Sequence, residues 1–345
     1  MRIEVHYESG GFSALKPEWN ALLGRSRSDA LFLTWEWQST WWKHLGDGRL
    51  LLLGFHAEED GRLVAIAPLF WSKTDQAQLL LFVVGCRDVS DYLDLIVERG
   101  QEEAVYRALL DYLQNEAPAW DVLDLCNLPQ ESLVPDRLRA LASARGFQTR
   151  VETEDVCPII DLPATWDEYL SRLDKKQRHE VRRKLRRADS EADTRFVVVG
   201  DERDLAAEMR AFIQLHQKST PEKDKFMDPQ MQGFFFDVAQ VLQARGWLQL
   251  AFIEIEGTKA AGLLNFDYQD SILVYNSGYD PGQFAHLSPG WVLTARCIEH
   301  AIALGRRKFD FLRGNEDYKY RFGGRDTEVR RLLIARPGVV LEATC

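Results

Sequence analysis

AAGLLNFDYQDSILVYNSGYDPGQFAHLSPGWVLTARCIEHAIALGRRKFDFLRGNEDYKYRFGG, residues 260–324, changes periodicity twice. Residues 260–268 read as a strand. Asp270 closes a tight turn, and 271–279, rich in β-branched and aromatic residues, reads as the next strand. After a loop with Pro281 and Gly282, Ser288-Pro289-Gly290 opens a helix that runs to about Leu304. Ser288 suits the N-cap and Pro289 the first turn. Gly305 ends the helix, residues 307–312 form a third strand, and Gly314 breaks it. A strand that feeds a helix N-terminus makes an anion site, because free N–H groups and the positive end of the dipole meet there. Gly290 leaves room for close backbone approach. An ordinary strand-loop-helix crossover is the plain alternative.

Outward from this stretch the pattern is mixed. Residues 2–7, 50–56, 63–71, 79–84, 92–97, 121–126 and 147–151 read as strands, with helices at 12–23, 101–116 and 133–145. Trp37, Trp41 and Leu45 share one helix face and read as core, with Trp42 off the stripe. Residues 155–162 read as a connection. Thr165 caps a helix from Trp166. A strongly basic helix follows, with Leu170, Leu173, Val181, Leu185 and Ala188 as its apolar stripe. Residues 194–199 and 247–255 read as strands, 205–218 and 229–245 as helices, and 328–335 as a last strand. The fold class is mixed α/β (α+β).

The two halves repeat. GRLLLLGFHAEEDGRLVAIAPLFW matches GWLQLAFIEIEGTKAAGLLNFDY, and WDVLDLCNL matches RKFDFLRG. A repeated unit over about half the chain implies duplicated domains. The expected domains are residues 1–156 and 157–345. The first copy lacks the Ser-Pro-Gly opening and a Tyr-Lys pair. The second is therefore expected to hold the chemistry, and the first to be degenerate and to shape the acceptor side.

Composition narrows the function. A net charge of −10 argues against DNA or general nucleic-acid coating and leaves room for a local basic patch. Cys86, Cys126, Cys157, Cys297 and Cys345 are scattered, with no CxxC spacing, so neither a disulfide framework nor a metal site is expected, and a reducing cytoplasm fits. MRIEVHYESGG reads as a strand, not a signal peptide, and no run reaches the roughly 18–20 apolar residues of a membrane span. Walker A, GxGxxG, HExxH and GxSxG patterns are absent.

Tyr279-x-Pro281, Ser288-Pro289-Gly290, Phe309-Asp310-Phe311-Leu312-Arg313-Gly314, and Tyr318-Lys319 leading to Phe322-Gly323-Gly324 occur in an order that resembles the Fem-type aminoacyltransferases and the related cellulose-biosynthesis-like acyltransferases. The likeness extends more weakly along nearly the whole chain. It implies two tandem GNAT-like domains, each a mixed, mostly antiparallel sheet flanked by helices. It implies an N-acyltransferase acting on an amine or hydroxyl of a cell-envelope or exopolysaccharide precursor, with acyl-coenzyme A favoured as donor over aminoacyl-tRNA. PGQFAHLSPG stands where the usual GNAT pyrophosphate loop is expected, and the segment between the domains is short, which weakens the tRNA reading. A catalytically inactive scaffold of a polysaccharide-assembly system is the rival from another class.

The candidate catalytic residues follow. The resemblance makes Lys319 an electrostatic stabiliser of the developing oxyanion, with Tyr318 beside it. A surface lysine packed on Tyr318 and Tyr320 is the alternative. Asp310, in an apolar strand, and His216, on a helix, are candidate bases. Ser288, Gly290 and Trp291 are the candidate donor-binding residues, with Arg182 and Arg186 of the basic helix. That helix reads either as a solvated face or as a phosphate grip. Asp88, Asp91, Tyr92 and Asp94 form an acidic patch able to hold an acceptor amine.

Overall fold

The computed structural model describes residues 1–73, 78–86 and 89–341, so Asp88 and Cys345 lie outside the described residues. The chain divides into two compact units. One comprises residues 1–155 and 328 onward, and the other residues 156–327.

The first unit contains β1 (Arg2–His6), α1 (Gly10–Leu23), α2 (Trp35–Leu45), β2 (Arg49–His56), β3 (Leu63–Lys73), β4 (Leu79–Val83), β5 (Ile96–Val97), α3 (Glu102–Asn115), β6 (Val122–Pro129) and α4 (Arg139–Ala144). The strand β7 (Gln148–Asp161) leads into the second unit. That unit continues with α5 (Trp166–Arg172), α6 (Lys175–Glu191), β8 (Thr194–Val198), α7 (Leu205–Ser219), α8 (Pro221–Phe226) and α9 (Pro229–Gln243). It is completed by β9 (Leu248–Ile255), β10 (Thr258–Tyr268), β11 (Ser271–Tyr279), α10 (Pro289–Ala303), β12 (Lys308–Asp310) and α11 (Asp317–Arg321). Then β13 (Arg325–Ala335) ends the described secondary structure. Residues 155–161, expected as a connection, are therefore part of a 14-residue strand.

The strand order within the first unit is β1-β2-β3-β4-β6-β13, and within the second β8-β9-β10-β11-β12-β7. In the first, β4 runs parallel to β6 and the other pairings among the described residues are antiparallel. In the second, β11 runs parallel to β12 and its other neighbours are antiparallel. Order and direction match strand for strand, so the sequence repeat is a repeat of fold, two tandem GNAT-like sheets. The parallel pair needs a crossover, supplied by α3 in one copy and α10 in the other.

Glu328 and the residues after it group with the first unit because β13 pairs with β6, from Val329↔Pro129 to Ala335↔Val122. Arg331 clamps buried Asp124 there, with Nε donating to Oδ1 at 2.7 Å. This differs from the expected second domain, 157–345. Cys86 and Cys126 are joined in a disulfide where none is expected; 40 residues separate them, and no spacing rule pairs them. No helix among the described residues is long and apolar enough to cross a membrane.

Trp37 and Trp41 are fully buried, as their spacing predicts. In the second unit, Val181, Leu185 and Ala188 of α6 share a core with Val292, Leu293 and Ile298 of α10. On α7, Phe212 is buried, and the C-terminal end of this helix lies very close to β11. A Cβ on Gly278 would stand 2.3 Å from the His216 main-chain nitrogen. Gly278→Ala must push α7 off the sheet, and overpacking of this kind costs about 1–3 kcal/mol. The expected result is a lower urea midpoint with an unchanged slope; a wild-type midpoint refutes the close approach.

Candidate active site

The site starts where two strands part. The parallel pairing of β11 with β12 covers only Ser271↔Lys308 to Leu273↔Asp310. Beyond it β11 runs on to Tyr279, with an extra residue, Tyr275, bulged against β10 between the Asn265↔Val274 and Leu264↔Asn276 pairs. A bulge bends its strand. Meanwhile β12 stops at Asp310, and Leu312 turns the chain away with φ 56°. A gap opens between residues 274–279 on one side and residues 312–316 on the other.

At the same end of the sheet, α10 begins. The five α-helices before it in the unit are capped by side chains of Thr165, Asp174, Asp204, Thr220 and Asp228. Ser288 occupies the N-cap of α10 but makes no capping bond, contrary to expectation. Its backbone is left-handed (φ 55°), which takes its hydroxyl out of capping position. Phe284 is left-handed too (φ 52°). Strained backbone of this kind gathers at functional sites. Pro289 has no N–H, and nothing among the described residues accepts from the N–H groups of Gly290 and Trp291. A Cβ on Gly290 would meet nothing within 4 Å. The helix therefore presents bare donors on an open surface.

The basic helix lies beside it. Lys184 Nζ stands 4.1 Å over the Trp291 ring, which packs on Phe322 at 4.4 Å. Trp291 Nε1 is buried with no hydrogen-bond partner. On α6, Arg183 and Arg187 pair with Glu180 and Glu191. Arg182 and Arg186 are exposed and have no ion pair among the described residues. The structure thus brings Trp291, Ser288 and Gly290 together on one element, with the helix of Arg182 and Arg186 as its neighbour.

The predicted catalytic residues are placed differently. Lys319 is 2% exposed. Its Nζ donates to the carbonyls of Leu312 (3.2 Å), Arg313 (2.7 Å) and Gly314 (3.1 Å) and lies 2.9 Å from Glu316 Oε2. An ammonium has three N–H donors. All three hold the loop after β12, so none is left for an oxyanion. Lys319 is neither an oxyanion donor in this arrangement nor a surface lysine, but the tie that shapes one wall of the gap. Asp310 is buried, and its Oδ1 accepts from the Leu312 N–H at 2.8 Å, which holds the left-handed turn. Tyr318 is half-buried and packs edge-on against Phe311 at 5.8 Å. Burial, with Glu316 nearby, raises its hydroxyl above the ordinary tyrosine range.

His216 is buried, with Nε2 2.9 Å from Asn276 Oδ1 on the β11 side of the gap. Burial, and then the charge of Lys223, push it down to about 4. Such an imidazole is neutral at pH 7 and a weak base, so the geometry favours positioning of Asn276 over proton abstraction. Burial pushes the Cys297 thiol up to about 12, which removes it as a nucleophile. Two residues escaped sequence reasoning. Lys223 donates to Ser277 O (2.6 Å) and Oγ (3.1 Å), and Glu316 sits on the opposite wall. No motif or spacing marks either. Of the acidic patch, Asp94 is buried in the first unit beside Ser28 and Leu95, and burial pushes it up to about 6.

Residues 175–320 match the family model described as an acetyltransferase (GNAT) domain. These residues form a GNAT acetyltransferase domain, and the chain has the fold of the Fem-type proteins. It superposes on FemX with a TM-score of 0.67 at 13% identity, over 96% of this chain and 97% of that one. It is also similar to L-PGS from Bacillus licheniformis (TM-score 0.56, 14% identity, 94% and 93% covered). A third likeness is to the C-terminal domain of a protein described as a lysylphosphatidylglycerol synthetase from Agrobacterium fabrum (TM-score 0.55, 10% identity, 95% and 92% covered). No curated protein sequence matches significantly.

Two outcomes follow from the buried groups. Lys319→Met leaves three loop carbonyls without their donor, and a buried acceptor so stranded costs roughly 1–3 kcal/mol. Thermal unfolding of Lys319→Met is expected several degrees below wild type; an unchanged midpoint means that the tie is dispensable. His216 has a folded value below its unfolded 6.5, so folding favours the neutral ring. Stability is full above pH 6.5 and falls as pH drops toward about 4, by at most about 3 kcal/mol. Urea titrations from pH 4 to 7.5 are expected to show this slope in wild type and to lack it in His216→Gln.

Proposed function

We propose that the second unit transfers an acyl group from acyl-coenzyme A to an amine or hydroxyl of a small-molecule or glycan precursor of the cell envelope or of an exopolysaccharide. The observation that carries this reading is the uncapped N-terminus of α10 at the parted parallel strands. In open α/β sheets, ligands bind outside the carboxyl ends of parallel strands, and helix N-termini there take phosphate. Gly290 and Trp291 would supply backbone N–H groups to the donor's phosphates, and Ser288 a hydroxyl. Exposed Arg182 and Arg186 would add long-range attraction. The acyl arm would enter the gap beside β11, which no strand covers on that side beyond Leu273 among the described residues. The envelope assignment draws on the lysylphosphatidylglycerol synthetase among the similar folds.

The first copy supports the division of labour. Its crossover helix α3 carries Glu102 and Glu103 in the first turn, and Glu102 Oε2 accepts from the Gly100 N–H at 2.8 Å. Two carboxylates in that first turn would repel a phosphate there. We read this copy, residues 1–155 with 328 onward, as degenerate and serving the acceptor. An aminoacyl-tRNA donor is the second reading, favoured by the unpaired Arg182 and Arg186.

Gly290→Ala separates ligand binding from folding. The added methyl meets no protein atom and replaces glycine in a helix, so stability holds or rises by up to about 1 kcal/mol. The same methyl intrudes on a phosphate held at the backbone. Calorimetry with acetyl-coenzyme A is expected to show affinity on the order of tenfold weaker in Gly290→Ala. Arg182→Ala with Arg186→Ala is expected to weaken binding and flatten its salt dependence. Binding of charged tRNA in place of acetyl-coenzyme A selects the second donor. Binding of neither, with a stable protein partner, selects the inactive scaffold.

A further inference from the structure

The gap has a lysine on each wall, and they differ in how many donors they have left. Lys319 gives its three N–H groups to three carbonyls. Lys223, on the β11 wall, gives two contacts, both to Ser277, and so keeps one N–H in hand. Burial holds Lys223 below the ordinary lysine range, and the Glu316 carboxylate across the gap opposes that shift through space. The helix that carries Lys223 has another peculiarity. α8 spans six residues, contributes no buried side chain, and is held by a Thr220 cap and Pro221 at its first turn. Its Phe226 packs against Phe235 and His216, and its Lys223 delivers an amine to the parted strand.

We propose that Lys223 is a catalytic residue of the acyl transfer: its free N–H bonds the donor's carbonyl oxygen as that oxygen becomes an oxyanion. The assignment rests on the acyl-transfer reading above. The acceptor nitrogen forms a bond to the acyl carbon, and the carbonyl π pair moves onto oxygen. The oxygen then bears a full charge, and a fixed ammonium in a partly desolvated gap stabilises it more than it stabilises the neutral carbonyl. When the pair returns, the carbon–sulfur bond breaks and the thiolate leaves. The proton lost by nitrogen passes to solvent and balances the thiolate. Lys223 keeps its three protons throughout, and nothing is oxidised or reduced. Lys319 is then a positioning residue: it holds the facing loop and Glu316 in place.

Two measurements test this, one of them independent of activity. A brief acetic anhydride pulse at pH 8, read by mass spectrometry, is expected to modify Lys223 and spare Lys319. Coenzyme A is expected to shield Lys223. The reverse labelling, Lys319 modified and Lys223 spared, overturns the assignment. In the second, thiol release from acetyl-coenzyme A is followed with a panel of primary amines as acceptors. Lys223→Met is expected to lower kcat on the order of 100–1,000-fold, the usual loss for one oxyanion donor, with KM and melting temperature nearly unchanged. Lys223→Arg is expected to restore part of kcat, because its charge sits differently. Lys223→Met turning over at the wild-type rate also overturns it. If wild type neither binds coenzyme A nor releases thiol, the acyl-thioester reading fails, and the labelling contrast alone decides whether Lys223 is the accessible cation.

Discussion

Three pairs of residues, Ser271↔Lys308 to Leu273↔Asp310, hold β11 beside β12, and the site depends on the pairing ending there. A parallel pair costs a crossover helix, and the helix must start at the carboxyl end of the first strand. Its N-terminus therefore falls at the mouth of the parting strands by topology alone. The bulge at Tyr275 and the left-handed turn at Leu312 carry the two walls apart. Buried Asp310 and Lys319 then spend their polar atoms on main-chain groups of the diverging loop, so the opening is held by hydrogen bonds as well as by packing.

The two copies differ in detail at the same point of one topology. Both have a parallel pair and a crossover helix. In the first, Glu102 and Glu103 stand in the first turn of the crossover helix, and Cys86–Cys126 links the chain just beyond β4 to β6. In the second, proline removes one donor, glycine clears the surface, and an uncapped serine leaves the remaining N–H groups unused. The difference lies in a handful of side chains, not in topology.

The charges sort by burial. Most cations of α6 are exposed or paired at the surface, where each contributes roughly 0–1 kcal/mol to stability. Their value is as a field. The lysines of the gap are fewer and less solvated, so each contact matters more. Donor number, not charge alone, decides which of them is free to act.

Much was legible in the sequence, because periodicity and turn chemistry are local. The strands at 260–268 and 271–279, the Pro289 helix start, the buried stripe of α6, the Trp37–Trp41 face and the internal repeat all follow from nearest-neighbour spacing. The motifs around Tyr318 and Gly323 placed the chain with its relatives for the same reason. Roles were another matter. Lys319 looked like a charge aimed at substrate until three carbonyls from its own loop were seen to saturate it. Ser288 had the right identity for a cap, but its φ of 55° denied it the geometry. His216 lost its basicity to burial against a strand 60 residues away, and Lys223 met Ser277 across 54 residues. The last strand joined the first unit because β6 offered it a partner. Sequence by itself determined what each segment becomes; which atoms are left over to do chemistry was decided by the tertiary structure, since a donor is free only after every distant partner has taken its share.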